Sequence, residues 1–323
     1  MHAILKMTAL LTATLCLASC GGGGTPAPVP DPDLTAPTVV SITPANGAKG
    51  VSKNTKIVVT FSEKMNQAVT QAAYESTDLP ADAVTFSWNT DGTVLTINPN
   101  QDLYYDSAAA RIYAFKLTHA AQDVAGNALP LKSSSFKTFR MLAYDVWGTA
   151  ALDGWVRGDG AVNTTSDRLR VGDGDASENN AAYRSFLSFD LSGLPAAHKG
   201  IESAMMIVEQ TLIEGTPYTD LSVGPDALMM EPVNYGAALT SADFNTAALS
   251  SITDPMKKSK ITNYALSVGS AVQADVSAGR TRSQYRLRFP SPTDGDGNAD
   301  IVSLNSGENK GERPLLTVFY LMQ

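Results

Sequence analysis

Thiols are almost missing from this chain. Its two cysteines, Cys16 and Cys20, both lie within the first 20 residues. The rest can form no disulfide, no cysteine-ligated zinc site and no thiol nucleophile. Histidine is nearly as scarce. Beyond the N-terminal segment only His119 and His198 remain to serve a Ser-His-Asp triad. His119 shares the parity of Tyr113, Phe115 and Leu117, as a strand-end residue would, and His198 lies in Pro195–Gly200, which reads as a surface loop. Sustained helical periodicity is absent as well. The chain reads as short runs of alternating apolar and polar residues, punctuated by 25 Gly and 17 Pro, which points to an all-β protein.

A length of 323 residues suits about two domains. At 43% hydrophobic and 17% charged, the chain can bury cores and is not disordered by composition. Its net charge is -8, unevenly spread: residues 37–140 carry 9 basic and 8 acidic side chains, residues 141–323 carry 14 and 22. An acidic second half repels phosphate backbones and excludes nucleic acid as the expected partner. Divalent cations and neutral sugars suit it better.

The N-terminus carries Lys6, then an apolar stretch from Met7 to Leu17. That is too short to span a membrane and right for a signal-peptide core. It ends in Leu17-Ala18-Ser19-Cys20, which resembles a bacterial lipobox at every position. The resemblance implies a signal peptide over 1–19, removed before Cys20, and acylation of that cysteine. Stable anchoring follows, because each buried methylene contributes roughly 0.8 kcal/mol and more than one acyl chain makes release rare. Gly21 rather than Asp after the cysteine implies the outer membrane, if the organism has one. Residues 20–36 then read as a tether: four glycines followed by a Pro-x-Pro run. In polyproline II form the Pro-rich part reaches on the order of 40 Å at ~3.1 Å per residue.

Residues 37–140 alternate cleanly: Ile57, Val59 and Phe61; Val84, Phe86 and Trp88; Leu95 and Ile97; Tyr113, Phe115 and Leu117. Asn89–Thr93 reads as a hairpin turn and Met65–Ser76 as a short helix. Thr43-Pro44-Ala45-Asn46-Gly47, Ile57–Glu63 and Asp123-Val124-Ala125-Gly126-Asn127 resemble bacterial Ig-like domains of surface proteins. A sandwich of about seven strands is expected. Glu63 has no partner acid at a telling spacing, so this domain reads as a spacer.

In residues 141–323, Ser166–Gly172, then Arg184, Leu187–Ser192 and Leu194-Pro195, and finally Arg313–Tyr320, resemble the DNRLRE domain family. That resemblance implies a jelly-roll sandwich appended to secreted proteins, with some members similar to carbohydrate-binding modules. Alternation independently supports a sandwich. Leu169 and Val171 share one strand face and Arg168 and Arg170 the other; Tyr285, Leu287 and Phe289 oppose Arg286 and Arg288. Those four arginines, with Trp155 and Tyr183 to stack on sugar rings, are the candidate ligand-binding residues. Their other reading is a solubilising face. Met205, Met206, Met229 and Met230 read as core filler. Residues 240–249 and 268–280 read as short helices. Arg157-Gly158-Asp159 reads as turn residues.

Two loops are dense in oxygen ligands. One holds Asp173 and Asp175; the other holds Asp294, Asp296, Asn298 and Asp300. Such spacing suits calcium, which takes six to eight oxygens, although Asp, Asn and Gly also dominate ordinary turns. The second loop departs from an EF-hand at Ala299 and Asn305. The expectation is therefore an all-β chain, an Ig-like β-sandwich followed by a jelly-roll-type β-sandwich, on a lipid anchor in the cell envelope. The second domain binds polysaccharide or another extracellular ligand, or serves as a structural or adhesive part. Catalysis is not expected.

Overall fold

The computed structural model describes residues 31–223, 228–250, 256 and 260–323. Cys20, the lipobox and most of the tether lie outside the described residues. No helix among the described residues is long and apolar enough to cross a membrane. Residues 36–323 pack as one compact unit built from β-sheets.

The first sandwich pairs two four-stranded sheets. One runs β1 (Val39–Thr43), β3 (Ile57–Phe61), β6 (Val94–Pro99), β5 (Val84–Trp88); the other runs β2 (Ala48–Val51), β8 (Lys132–Thr138), β7 (Ile112–Leu117), β4 (Tyr74–Glu75). The alternating residues fill a single core, with Ile57, Val59, Leu95, Ile97 and Leu117 fully enclosed. The expected helix is α1 (Gln67–Ala72), whose first turn is capped by the Asn66 side chain accepting from the Val69 N–H. The Asn89–Thr93 hairpin closes on Gly92 at φ +69, a conformation glycine adopts without strain.

The second sandwich joins eleven strands through two hubs. They are β9 (Arg140–Trp147), β10 (Gly154–Arg157), β11 (Val162–Asn163), β12 (Arg168–Asp173), β13 (Ala182–Asp190), β14 (Ile201–Glu214), β15 (Met229–Val233), β16 (Thr262–Ser267), β17 (Arg282–Arg288), β18 (Asp300–Asn305) and β19 (Leu315–Met322). Strand β13 pairs with β10, β12 and β17; the long β14 pairs with β16, β18 and β19. One core unites Leu187, Phe189, Tyr285 and Leu287 with Met206, Val208, Leu266, Val302, Leu304 and Val318. Residues 268–280 form α3 (Gly269–Ser277), whereas residues 241–245 form a 3-10 turn with a Thr240–Asp243 capping box. Of the four methionines read as core filler, Met206 and Met230 are buried, Met229 is partly buried and Met205 is 46% exposed. The period of two sends neighbouring residues to opposite faces.

A second apolar cluster lies on the far side of β13. Leu152, Val156, Phe186, Val233, Tyr235 and Leu239, with Phe244 against them, cover the face that alternation assigns to solvent. Strands β13 and β17 are therefore buried on both faces. Ion pairing links the two sandwiches, with Lys53 Nζ 2.6 Å from a Glu202 carboxylate oxygen.

Candidate functional site

The arginine face does not form as expected. Arg286 is 5% exposed, because residues 244–246 lie over it. Glu231 stands directly opposite on β15 and bridges Arg286 and Arg288, with Arg288 Nη2 at 2.6 Å and Arg288 Nε at 3.0 Å. Arg286 Nη1 also donates to the Thr246 carbonyl at 2.7 Å. Burial alone would raise the Glu231 carboxyl. The guanidinium groups of Arg288 and Arg286 outweigh that and hold it below its ordinary value. Arg184 joins the group with its guanidinium 4.0 Å from the Phe244 ring centre. Burial, then repulsion from Arg286 and Arg288, lowers it to about 10.

Tyr183 is buried too, so it cannot stack on a sugar ring. Arg170 lies 4.2 Å over its ring, and Trp155 meets it edge-on at 5.0 Å between centroids. The Tyr183 hydroxyl donates to Glu178 at 2.8 Å and accepts from Arg170 at 2.9 Å. Trp155 is half-buried in that contact, and of the six candidate residues only Arg168 is exposed. The cause is common to all: the cap over β13 and β17 and the loop holding Glu178 turn outward side chains inward. Arg157 and Asp159 close on each other at 2.8 Å, which leaves that tripeptide folded on itself as a turn.

The acidic loops behave differently. The two stretches that looked separate in sequence converge, because Asp173 and Asp300 are direct cross-strand partners in the β12–β18 ladder. Such partners project to the same face. Two glycines make the approach possible: Gly172 at φ +130, where a Cβ would sit 1.8 Å from the Asp300 carbonyl oxygen, and Gly215 at φ +67, where one would sit 2.3 Å from Asp300 Oδ1. The end of β14 runs beside β18, and the next turn is α2 (Pro217–Asp220). That delivers Asp220, which no sequence pattern had marked. One carboxylate oxygen from each of Asp220, Asp294 and Asp300 lies within 4.8 Å of the other two.

Asp300 also accepts from the Thr216 N–H, and Asp173 Oδ2 from the Asp294 N–H at 3.3 Å. Asp173 is fully buried, and its Oδ1 has no hydrogen-bond partner. Burial raises both carboxyls. Hydrogen bonds from the Thr293 side chain and the Asp294 N–H offset part of this at Asp173, and from the Thr216 N–H at Asp300, while repulsion from Asp294 and Asp300 adds to it at Asp173, and from Asp220, Asp294 and Asp296 at Asp300. Three of the expected ligands are not brought into the group. Asp296 is occupied by Asn298, which donates its backbone and side-chain N–H groups at 2.7 and 2.6 Å. Asp175 caps the turn Ala176–Glu178 and accepts from the Ser177 hydroxyl at 2.6 Å. These are ordinary turn bonds.

Residues 33–138 match the family of bacterial Ig-like domains. The first sandwich is thus a bacterial Ig-like domain. No curated protein matches the chain. Among solved structures, the N-terminal part of the bacterial S-layer protein SbsC is 13% identical, over 49% of this chain and 41% of that one, with a TM-score of 0.25. The chain thus spans about two fifths of that S-layer fragment. An L,D-transpeptidase from Mycobacterium smegmatis is 13% identical over 72% of this chain and 73% of that one, with a TM-score of 0.25. BuGH86 in complex with neoagarooctaose is 9% identical over 85% of this chain and 33% of that one, again with a TM-score of 0.25. Likeness at that level carries no conclusion about activity.

Proposed function

We propose that this is a non-catalytic envelope lipoprotein, acylated at Cys20, in which the Ig-like domain is a spacer and the second sandwich a structural or adhesive module. The observation that carries this reading is the internal use of the side chains best suited to ligand capture. Arg170, Arg286, Arg288 and Tyr183 are spent on Glu178, Glu231 and backbone carbonyls, and they brace the sandwich. Two further observations support it. His119 and His198 are each bound to local backbone, at the Leu129 carbonyl and the Gly200 N–H, and they belong to different sandwiches. The buried Asp153 is closed off from solvent.

A second reading, polysaccharide binding, is favoured by one groove of about 340 Å³ lined by Asn234, Gly236, Arg280 and Arg282, among others. Arg280 is paired with Asp275 at 2.7 Å, whereas Arg282 makes only long bonds to the Thr149 and Ser188 hydroxyls, at 3.3 and 3.4 Å.

The test has two arms. Cells expressing the full chain are fed an alkyne fatty acid: Cys20 is expected to take the label, Cys20→Ala to lose it, and a protein that stays unlabelled in the cytoplasm refutes the anchor. The purified protein is then run through gels containing polyuronate or neutral glycan. The structural reading expects no retardation. Retardation abolished by Arg282→Ala would replace it with the second reading.

A further inference from the structure

The second sandwich contains four neighbouring carboxylates that pair with no cation among the described residues. Asp220, Asp294 and Asp300 converge from α2, the loop after β17, and β18, and Asp173 on β12 lies beside them, opposite Asp300 and accepting from the Asp294 N–H. None of the four makes an ion pair with a described Lys, Arg or His, and Arg170 and Arg288, nearby in sequence, are engaged with Glu178 and Glu231. Like charges so close destabilise one another unless something sits between them. Clustering alone would not identify a ligand, since exposed acids often gather without one. The independent observation is Asp173. It is fully buried, it shares the face of Asp300, one of its oxygens meets the Asp294 N–H, and its other oxygen has no partner. A buried carboxylate oxygen without a donor is costly, and it makes sense as part of a site that something else completes.

We infer that Asp220, Asp294 and Asp300 ligate one calcium ion, with Asp173 behind them completing the acidic wall. The donor chemistry selects the metal class. All four groups are hard oxygen donors, and among the described residues no histidine or cysteine joins them, which disfavours zinc and copper. Calcium accepts an irregular shell of six to eight oxygens and takes carboxylates singly or in pairs, with water filling the remainder. Asp220 and Asp294 are exposed and leave room for that water. Magnesium demands near-octahedral geometry and gives up its water reluctantly. The ion would tie the turn after β14 to the β12–β18 ladder, joining segments that the backbone brings side by side without a covalent link. This inference is independent of the anchor and of whether the module binds glycan.

The experiment uses the full-length protein in detergent, stripped with EDTA and desalted. Equilibrium dialysis against calcium chloride is expected to give one ion per chain. The unfolding midpoint of the second sandwich is expected to rise by on the order of 5 °C at a hundredfold excess over Kd. Asp220→Asn and Asp294→Asn change exposed groups, so folding is not at stake, and each should weaken calcium binding about tenfold or more. Asp296→Asn, just outside the group, should leave it unchanged. The inference is overturned if no calcium binds, if Asp220→Asn and Asp294→Asn both bind as the parent does, or if magnesium at equal concentration acts as well as calcium.

Discussion

Strands β7 and β17 have similar alternating sequences and opposite fates. In β7, Ile112, Ala114 and Lys116 are exposed while Tyr113, Phe115 and Leu117 are buried. In β17 every residue from Ser283 to Leu287 is buried, polar and apolar alike. The difference comes from outside the strands. Nothing covers the outer face of β7, whereas β17 and β13 lie under residues 233–246 and the loop that carries Leu152. Alternation finds a core only where one face stays wet. Under a cap, the polar half of the pattern becomes a buried network that must be satisfied bond by bond.

The sharpest way to break this comparison is at Glu231. Glu231→Gln removes the charge that neutralises Arg286 and Arg288 beneath the cap. Loss of one member of a buried pair costs about 3–5 kcal/mol. The matched change in the Ig-like domain is Glu75→Gln, which breaks the exposed Lys116–Glu75 pair and should cost at most about 1 kcal/mol. Replacing Glu231, Arg286 and Arg288 together by apolar residues of similar size should cost less than Glu231→Gln alone. Denaturant melts of the single and combined variants decide it. Equal costs at Glu231 and Glu75 would mean that the cap does not exclude water.

A second contrast lies in pH. Burial pushes the Asp153 carboxyl well above its ordinary value, with Glu308 adding to the rise, while the Ser188 and Gly307 N–H groups and Arg282 offset only part of it. In the Ig-like domain, burial would also raise Asp123, but the Asn127 side chain and N–H outweigh it and hold that carboxyl low. The signs are opposite. Asp153 holds its proton more tightly in the fold than when unfolded, so its contribution to stability falls as pH rises above the ordinary carboxylate range of about 4, by up to ~1.4 kcal/mol per pH unit. Asp123 contributes stability above that range and loses it as pH falls through its depressed value. Lowering pH from 7 to 5 should therefore steady the second sandwich relative to Asp153→Asn, whose melt should lose that slope. An unchanged slope in Asp153→Asn would assign the effect to the other carboxyls of this sandwich raised by burial, Asp173, Asp275, Asp300 and Glu308.

The fold was largely legible because its strands carry their information locally. The hairpin at Gly92, the helix at Asn66 and the wet faces of the first sandwich all follow from residues within a few positions of one another. The acidic group was half legible. Asp173, Asp294 and Asp300 stood out by spacing, but that they meet depends on the β12–β18 register, which is set by packing across the whole sandwich. Asp220 sits on one turn of helix with nothing beside it to mark it, and only the pairing of β14 with β18 brings it in. The arginines were misread for the same reason in reverse. Their faces were assigned correctly by period, but what lay over those faces was contributed by distant loops.

The finest test of that lesson is within a single strand. Arg168 and Arg170 have the same parity, the same chemistry and the same expected role on β12. The structure separates them. Arg170 is held over the Tyr183 ring and lies 3.4 Å from a Glu178 carboxylate oxygen, whereas Arg168 is exposed. Arg170→Ala removes a cation from an aromatic face and a donor from a shared hydroxyl, so it should cost about 1–2 kcal/mol. Arg168→Ala should change stability by no more than about 0.5 kcal/mol. Urea midpoints on the two variants measure the gap. If the two cost the same, the loop carrying Glu178 does not cover β12, and both arginines return to solvent as one face available to a ligand.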